Sequence, residues 1–147
     1  MKQAVACVVY RDAARREALI VRRPDDDPDL PGIWGLPAAS LRPGESWKDA
    51  VARAGREKLG VRLVPERVLA AGEGARPGFV LRMRLYEARV EDGEPHVPQP
   101  VPGVTQYSAW RWGDAALLEP GAARGSLCCR LFIEMGEGAA SSGDPWT

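Results

Sequence analysis

The feature that constrains this chain most is a proline-broken stretch feeding directly into one well-delimited helix. Residues 22–43 hold Pro24, Pro28, Pro31, Pro37 and Pro43, with Gly32 and Gly35 among them. Each proline fixes φ and removes a backbone donor, so the segment reads as irregular. A loop of this length is uncommon inside a compact domain and is usually functional. Residues 46–59 follow as the best helix in the sequence. Ser46 can cap it, Asp49 stands three residues later near the capping-box position, and Gly60 closes it. Gly55 in the helix interior costs about 1 kcal/mol relative to alanine and so needs a reason.

The remaining segments alternate. Residues 4–10 are rich in valine and alanine and read as a buried strand, a charged turn follows, and residues 18–21 read as a second strand in a hairpin-like start. Residues 61–69 and 79–90 are further strands, and 107–112 is a last one with aromatics. Helices are expected at 114–118 and 126–135. Loops fall at 72–78 and 91–103, and the small polar stretch 136–147 reads as a loose tail. Strands interleaved with helices predict an α/β (α+β) sandwich, one domain over residues 1–135.

Composition narrows the partners. Twenty basic side chains balance twenty acidic ones, so no net field favours nucleic acid or a membrane surface. No apolar run approaches the ~20 residues that span a bilayer, and the N-terminus lacks a signal-peptide layout. Cys7, Cys128 and Cys129 form neither a disulfide framework nor a zinc spacing, and His96 is the single histidine. A reducing cytoplasm is the expected setting. Oligomeric state is open, a homodimer included.

The stretch from Arg22 to Val61 resembles the signature region of the Nudix hydrolase family. That signature is a glycine, five residues, a glutamate, seven residues, then Arg-Glu-apolar-x-Glu-Glu-x-Gly-apolar, commonly after a Trp-x-Leu-Pro-Gly-Gly lead-in. Here the lead-in reads Gly32-Ile33-Trp34-Gly35-Leu36-Pro37-Ala38-Ala39. Glu45, Arg53, Glu57, Gly60 and Val61 then match without a gap. The resemblance implies a mixed β-sheet flanked by helices, and a hydrolase of nucleoside diphosphate-linked compounds that uses Mg²⁺ or Mn²⁺ held by glutamates. It puts metal binding on Glu57 and Glu45, catalysis on Glu57, and structural roles on Arg53 and Gly60; the basic side chains Arg23, Arg56 and Lys58 are the candidate substrate contacts that this chain itself offers.

The chemistry-bearing positions depart from that pattern. On a regular helix residues 54, 57 and 58 share one face, and the family pattern places three carboxylates there. This chain has Ala54, Glu57 and Lys58. Mg²⁺ takes hard oxygen ligands in octahedral geometry, and a lysine ~4 Å from it repels by about 1–4 kcal/mol per unit charge on the ion. The loop over residues 96–106 contains no carboxylate that could replace the lost ligands. Activity and metal binding are therefore expected to be weakened.

Each surviving residue also has a plainer role. Glu57 can pair with Arg53 one turn back, Glu45 can cap the loop-to-helix junction, and Trp34 can anchor the loop in the core. The acidic run Asp25, Asp26, Asp27 and Asp29 reads as solvated. Three functions stay open: a weakened hydrolase, an inactive module that holds a nucleotide or phosphate through Lys58, Arg53 and Arg56, and an interaction domain without a small ligand.

Overall fold

The computed structural model describes residues 1–98 and 107–136. Two apolar strands set the frame because each is buried on both faces. β1 (Lys2–Val8) sends Ala4, Ala6 and Val8 into one core and Val5 and Cys7 into another. β2 (Ala18–Arg22) splits Ala18 and Ile20 from Leu19 and Val21 in the same way. Successive side chains of a strand point to opposite faces, so a continuous apolar run requires cover on both sides.

These strands lie in different sheets, which corrects the hairpin-like start. They are joined by an isolated bridge between Tyr10 and Ala18 and by Leu19 N–H donating to the Val9 carbonyl at 2.8 Å. Beyond that bridge each strand takes other partners. β3 (Trp34–Gly35) and β4 (Ala38–Ser40) both come from the proline-rich segment, which is thus less irregular than its composition suggests. The long β5 (Arg62–Arg76) and β6 (Phe79–Asp92) form a hairpin, and β7 (Ala109–Gly113) is the last strand. One sheet has the order β4-β1-β6-β5, with β1 and β6 parallel and the other pairs antiparallel. The second is the antiparallel β3-β2-β7.

The 72–78 loop expected from its glycines is also corrected. Its first five residues continue β5, and the turn is confined to Pro77 and Gly78. Gly72 has a packing reason: a Cβ there would lie 2.7 Å from the Leu131 side chain.

The main helix divides in two. α1 (Trp47–Ala54) is capped by Ser46, whose Oγ accepts from Asp49 N–H at 3.0 Å. A π-helical turn over Gly55–Leu59 completes it, and Gly60 at φ 63° terminates it. Gly55 is required by close approach, because a Cβ would sit 2.7 Å from Leu63 Cγ and 3.0 Å from the Val61 carbonyl oxygen. A wider helical turn is a common device at functional sites.

At the other end, a 3₁₀ turn over Ala115–Leu118 leads into α2 (Glu119–Ala123) and then α3 (Leu127–Gly136). The helices flank the sheets: Val51 and Ala54 of α1 join the core of Val5 and Cys7, whereas Cys129 and Leu131 of α3 join that of Ala6 and Val8. The result is the expected mixed α+β sandwich. The expected tail lies, apart from Gly136, outside the described residues, as does most of the 91–103 loop's second half.

Candidate functional site

The segment from Glu45 to Glu57 builds an ion-pair knot. Arg53 has a side chain only 8% exposed. Its Nε donates to Glu45 Oε2 at 2.8 Å and its Nη2 to Glu45 Oε1 at 2.9 Å. The same Nη2 donates to the Ser40 carbonyl at 2.6 Å, and Nη1 donates to Glu57 Oε1 at 3.1 Å. Glu45 also accepts from Arg42 N–H at 3.0 Å, and Arg42 Nη2 reaches Glu57 Oε2 at 3.3 Å. A planar guanidinium suits this bidentate task, which welds β4, the loop and the helix together. Arg53 hydrogen bonding holds the Glu45 carboxyl down at about 2.

Positions 54, 57 and 58 do not meet on one open face. Ala54 is fully buried in the core, Glu57 turns to Arg53 and Arg42, and Lys58 is buried elsewhere. The π-helical turn changes the angular spacing after residue 54, so the regular-helix geometry no longer applies. Both surviving glutamates have their oxygens engaged by arginines, and Lys58 adds a cation. This donor set does not fit a resident Mg²⁺ ion. Among the described residues no three His, Cys, Asp or Glu side chains gather as a metal-holding group.

A cleft of about 710 Å³ opens between the sheets and the α2–α3 connection. Arg23, Lys58, Lys2, Arg76 and Arg124 line it, against a single carboxylate, Asp29. Trp34, Leu36, Leu81 and Met83 supply apolar wall. Lys58 is 8% exposed, and its Nζ stands 5.4 Å from the centre of the Tyr107 ring. Burial draws the Lys58 ammonium down to about 8, despite the Glu57 charge that opposes the shift. Tyr107 is itself buried, its hydroxyl accepts from Ala38 N–H at 3.1 Å, and burial pushes it up to about 12. Arg23 is steadied by Asp27 at 3.3 Å, and Asp27 in turn accepts from Leu30 N–H at 2.8 Å. That is one place for the acidic run: Asp27 is an anchor of the loop rather than a solvated charge.

The expected substrate residues therefore separate. Arg23 and Lys58 meet in the cleft, whereas Arg56 is exposed and lines a separate depression with Ala52 and residues 60–65. Gly60 lies against the His96 ring, and His96 N–H donates to the Leu59 carbonyl at 3.0 Å. Trp34 packs part-buried against the core, and Trp110 and Trp112 meet edge to face at 5.6 Å. Tyr107, Arg76, Arg124 and Cys128 escaped the sequence reading. They come from three distant segments, and no local spacing marks them.

Fold and site together define an α+β domain with a cationic cleft of about 710 Å³ behind a loop–helix knot. The NUDIX domain matches residues 1–125, and the chain belongs to that family. A MutT protein from Methanosarcina mazei is similar at 18% identity, covering 92% of this chain and 93% of that one with a TM-score of 0.67. A MutT NUDIX hydrolase from Burkholderia pseudomallei is 25% identical over 78% and 84% of the two chains, at 0.62. An Ap4A hydrolase from C. elegans is 18% identical over 94% and 99%, at 0.65. Among the described residues no helix is long and apolar enough to cross a membrane.

Proposed function

We propose that this Nudix domain is a binding module that holds a phosphate-bearing small molecule, of the nucleoside diphosphate-linked class, directly on Arg23 and Lys58. The observation that carries the reading is the charge of the cleft: five cationic side chains against one carboxylate. A lysine binds phosphate as a point charge and an arginine binds it as a fork, so neither needs a bridging ion. The apolar wall around Trp34 and Leu81 suits a nucleobase or similar flat group. Three free cysteines are in keeping with a reducing cytoplasmic setting.

Titration calorimetry in chelator with ADP-ribose, a uridine diphosphate sugar and a dinucleoside polyphosphate tests this. Binding is expected without divalent metal, to weaken with salt, and to fall at least about tenfold in Lys58→Met, the loss of one charge-assisted contact. Binding that appears only with Mg²⁺ or Mn²⁺ overturns it.

The second reading is a metal-dependent pyrophosphohydrolase with Glu57 as the catalytic carboxylate and Glu57 and Glu45 as ligands. Its support is that the Glu57 side chain keeps 27% exposure. Similar folds also include an ADP-ribose pyrophosphatase from Streptococcus suis and a UDP-X diphosphatase. A hydrolysis screen over the same compounds with Mg²⁺ or Mn²⁺ decides between the two.

A further inference from the structure

The five cations of the cleft fall into two groups, and the strand register measures the gap between them. Lys58 stands over Tyr107, whose hydroxyl accepts from Ala38 N–H, and Ala38 pairs with Ala6 of β1. Lys2 lies four residues back on the same strand, beside Leu81 of β6. At about 3.3 Å per residue those two ends of β1 are about 13 Å apart. The same alternation puts Lys2, Ala4 and Ala6 on one face, so Lys2 points to the side of the sheet that the cleft occupies.

The second group gathers around Lys2. Its Nζ sits 5.7 Å from the centre of the Phe79 ring, and Phe79 pairs with Arg76 across the β5–β6 turn. Arg76 Nη2 donates to the Gly125 carbonyl at 3.1 Å, which brings Arg124 of the α2–α3 connection to the same end. Arg76 Nη1 donates to the Ala75 carbonyl at 3.0 Å, so both of its acceptors are neutral. Among the described residues none of Lys2, Arg76 and Arg124 has a carboxylate within ion-pair distance. The first group differs. Arg23 is paired with Asp27, and Asp29, the one carboxylate of the cleft, donates its N–H to that same Asp27. Cations collected at one end of a cleft with no acid among them repel one another, and a bound anion relieves that repulsion.

Between the two groups the walls are uncharged. The small side chains of Ala4 and Ala38 leave depth, and Trp34, Leu81 and Met83 supply apolar surface. A flat ring suits that middle stretch. We propose that Lys2, Arg76 and Arg124 form a second anion subsite, and that the cleft takes a nucleotide whose base end carries a further anionic group. The phosphate lies on Arg23 and Lys58, the ring on the apolar middle, and the second anion at the Lys2 end. The inference rests on the reading of the cleft as a phosphate site and adds the class of molecule that fills its length.

Titration calorimetry on the full chain, in chelator and low salt, compares ADP, AMP and adenylosuccinate. The first two report the Arg23 and Lys58 end alone. Adenylosuccinate is an AMP whose purine amino group bears a dicarboxylate chain, so it offers an anion to each end. It is expected to bind at least about fivefold more tightly than AMP, the range of exposed charge-assisted contacts. Lys2→Gln with Arg124→Gln lowers adenylosuccinate binding at least about fivefold and AMP binding by less than about twofold, because only the former reaches that end. Removing two exposed cations outside the cleft, in Arg11→Gln with Arg62→Gln, preserves the gain. Three results overturn the second subsite while ADP binding stands: a gain over AMP below about twofold, a gain that survives Lys2→Gln with Arg124→Gln, or a gain lost in the Arg11 and Arg62 variant. Failure of all three compounds to bind overturns the phosphate-site reading itself, and this subsite with it.

Discussion

Replacing Glu45 by glutamine probes the knot that holds the loop to the helix. The substitution keeps the volume and one acceptor but removes the charge facing the buried Arg53 guanidinium. Glu45 sits at about 2 rather than at its ordinary 4.5. At about 1.4 kcal/mol per pKa unit, that gap caps the contribution near 3.4 kcal/mol. The side chain keeps 13% exposure, and solvent screening brings the expected loss to about 2–3 kcal/mol at pH 7. The folded-state pKa is depressed, so this stability is present above 4.5 and fades as pH falls toward 2. By pH 3 the difference between parent and variant shrinks to less than about half its neutral value. Urea unfolding followed by tryptophan fluorescence at pH 7, 4 and 3 measures it. A difference below about 0.5 kcal/mol at pH 7, the size of an exposed pair, or one that stays constant down to pH 3, refutes the reasoning.

Two further outcomes follow from the same geometry. Lys58→Met is expected to raise stability at pH 7 by about 1–3 kcal/mol, because the ammonium is buried with its pKa drawn down to about 8. That cost is present below about 8 and is relieved as pH rises toward 10.5, so the variant's advantage in urea titrations should shrink by pH 10. An advantage that grows with pH contradicts it. Gly55→Ala should destabilise by at least about 1 kcal/mol, opposite to the usual gain from alanine in a helix, because the new methyl meets Leu63. A thermal melt at or above that of the parent removes the close-approach explanation.

Much of the architecture was legible in the residues. The cap at Ser46, the stop at Gly60, the apolar runs of β1 and β2 and the alternation of Leu81, Met83 and Leu85 are local signals, each set by backbone chemistry or a two-residue period. What misled were features whose outcome depends on a distant partner. Val9 and Leu19 share a hydrogen bond like hairpin neighbours, yet their strands part because better partners wait in separate sheets. The glycines at 72 and 74 looked like a loop but lie within β5, where Gly72 makes room for α3.

The site divides along the same line. The resemblance to the Nudix signature grouped Glu45, Arg53 and Glu57, and it marked Ala54 and Lys58 as departures where that pattern carries carboxylates. Only the tertiary structure decided where those side chains go. Ala54, at the end of α1, packs into the core, and the π-helical turn that follows sends Lys58 into a cleft and Glu57 onto Arg53. The closed fold also brings Arg23, Tyr107 and Cys128, more than a hundred residues apart at the extremes, around one cavity. Helical caps and strand alternation are short-range interactions that a sequence carries in its neighbours, whereas the charge of a cleft is a sum over segments that meet only once the sheets have closed.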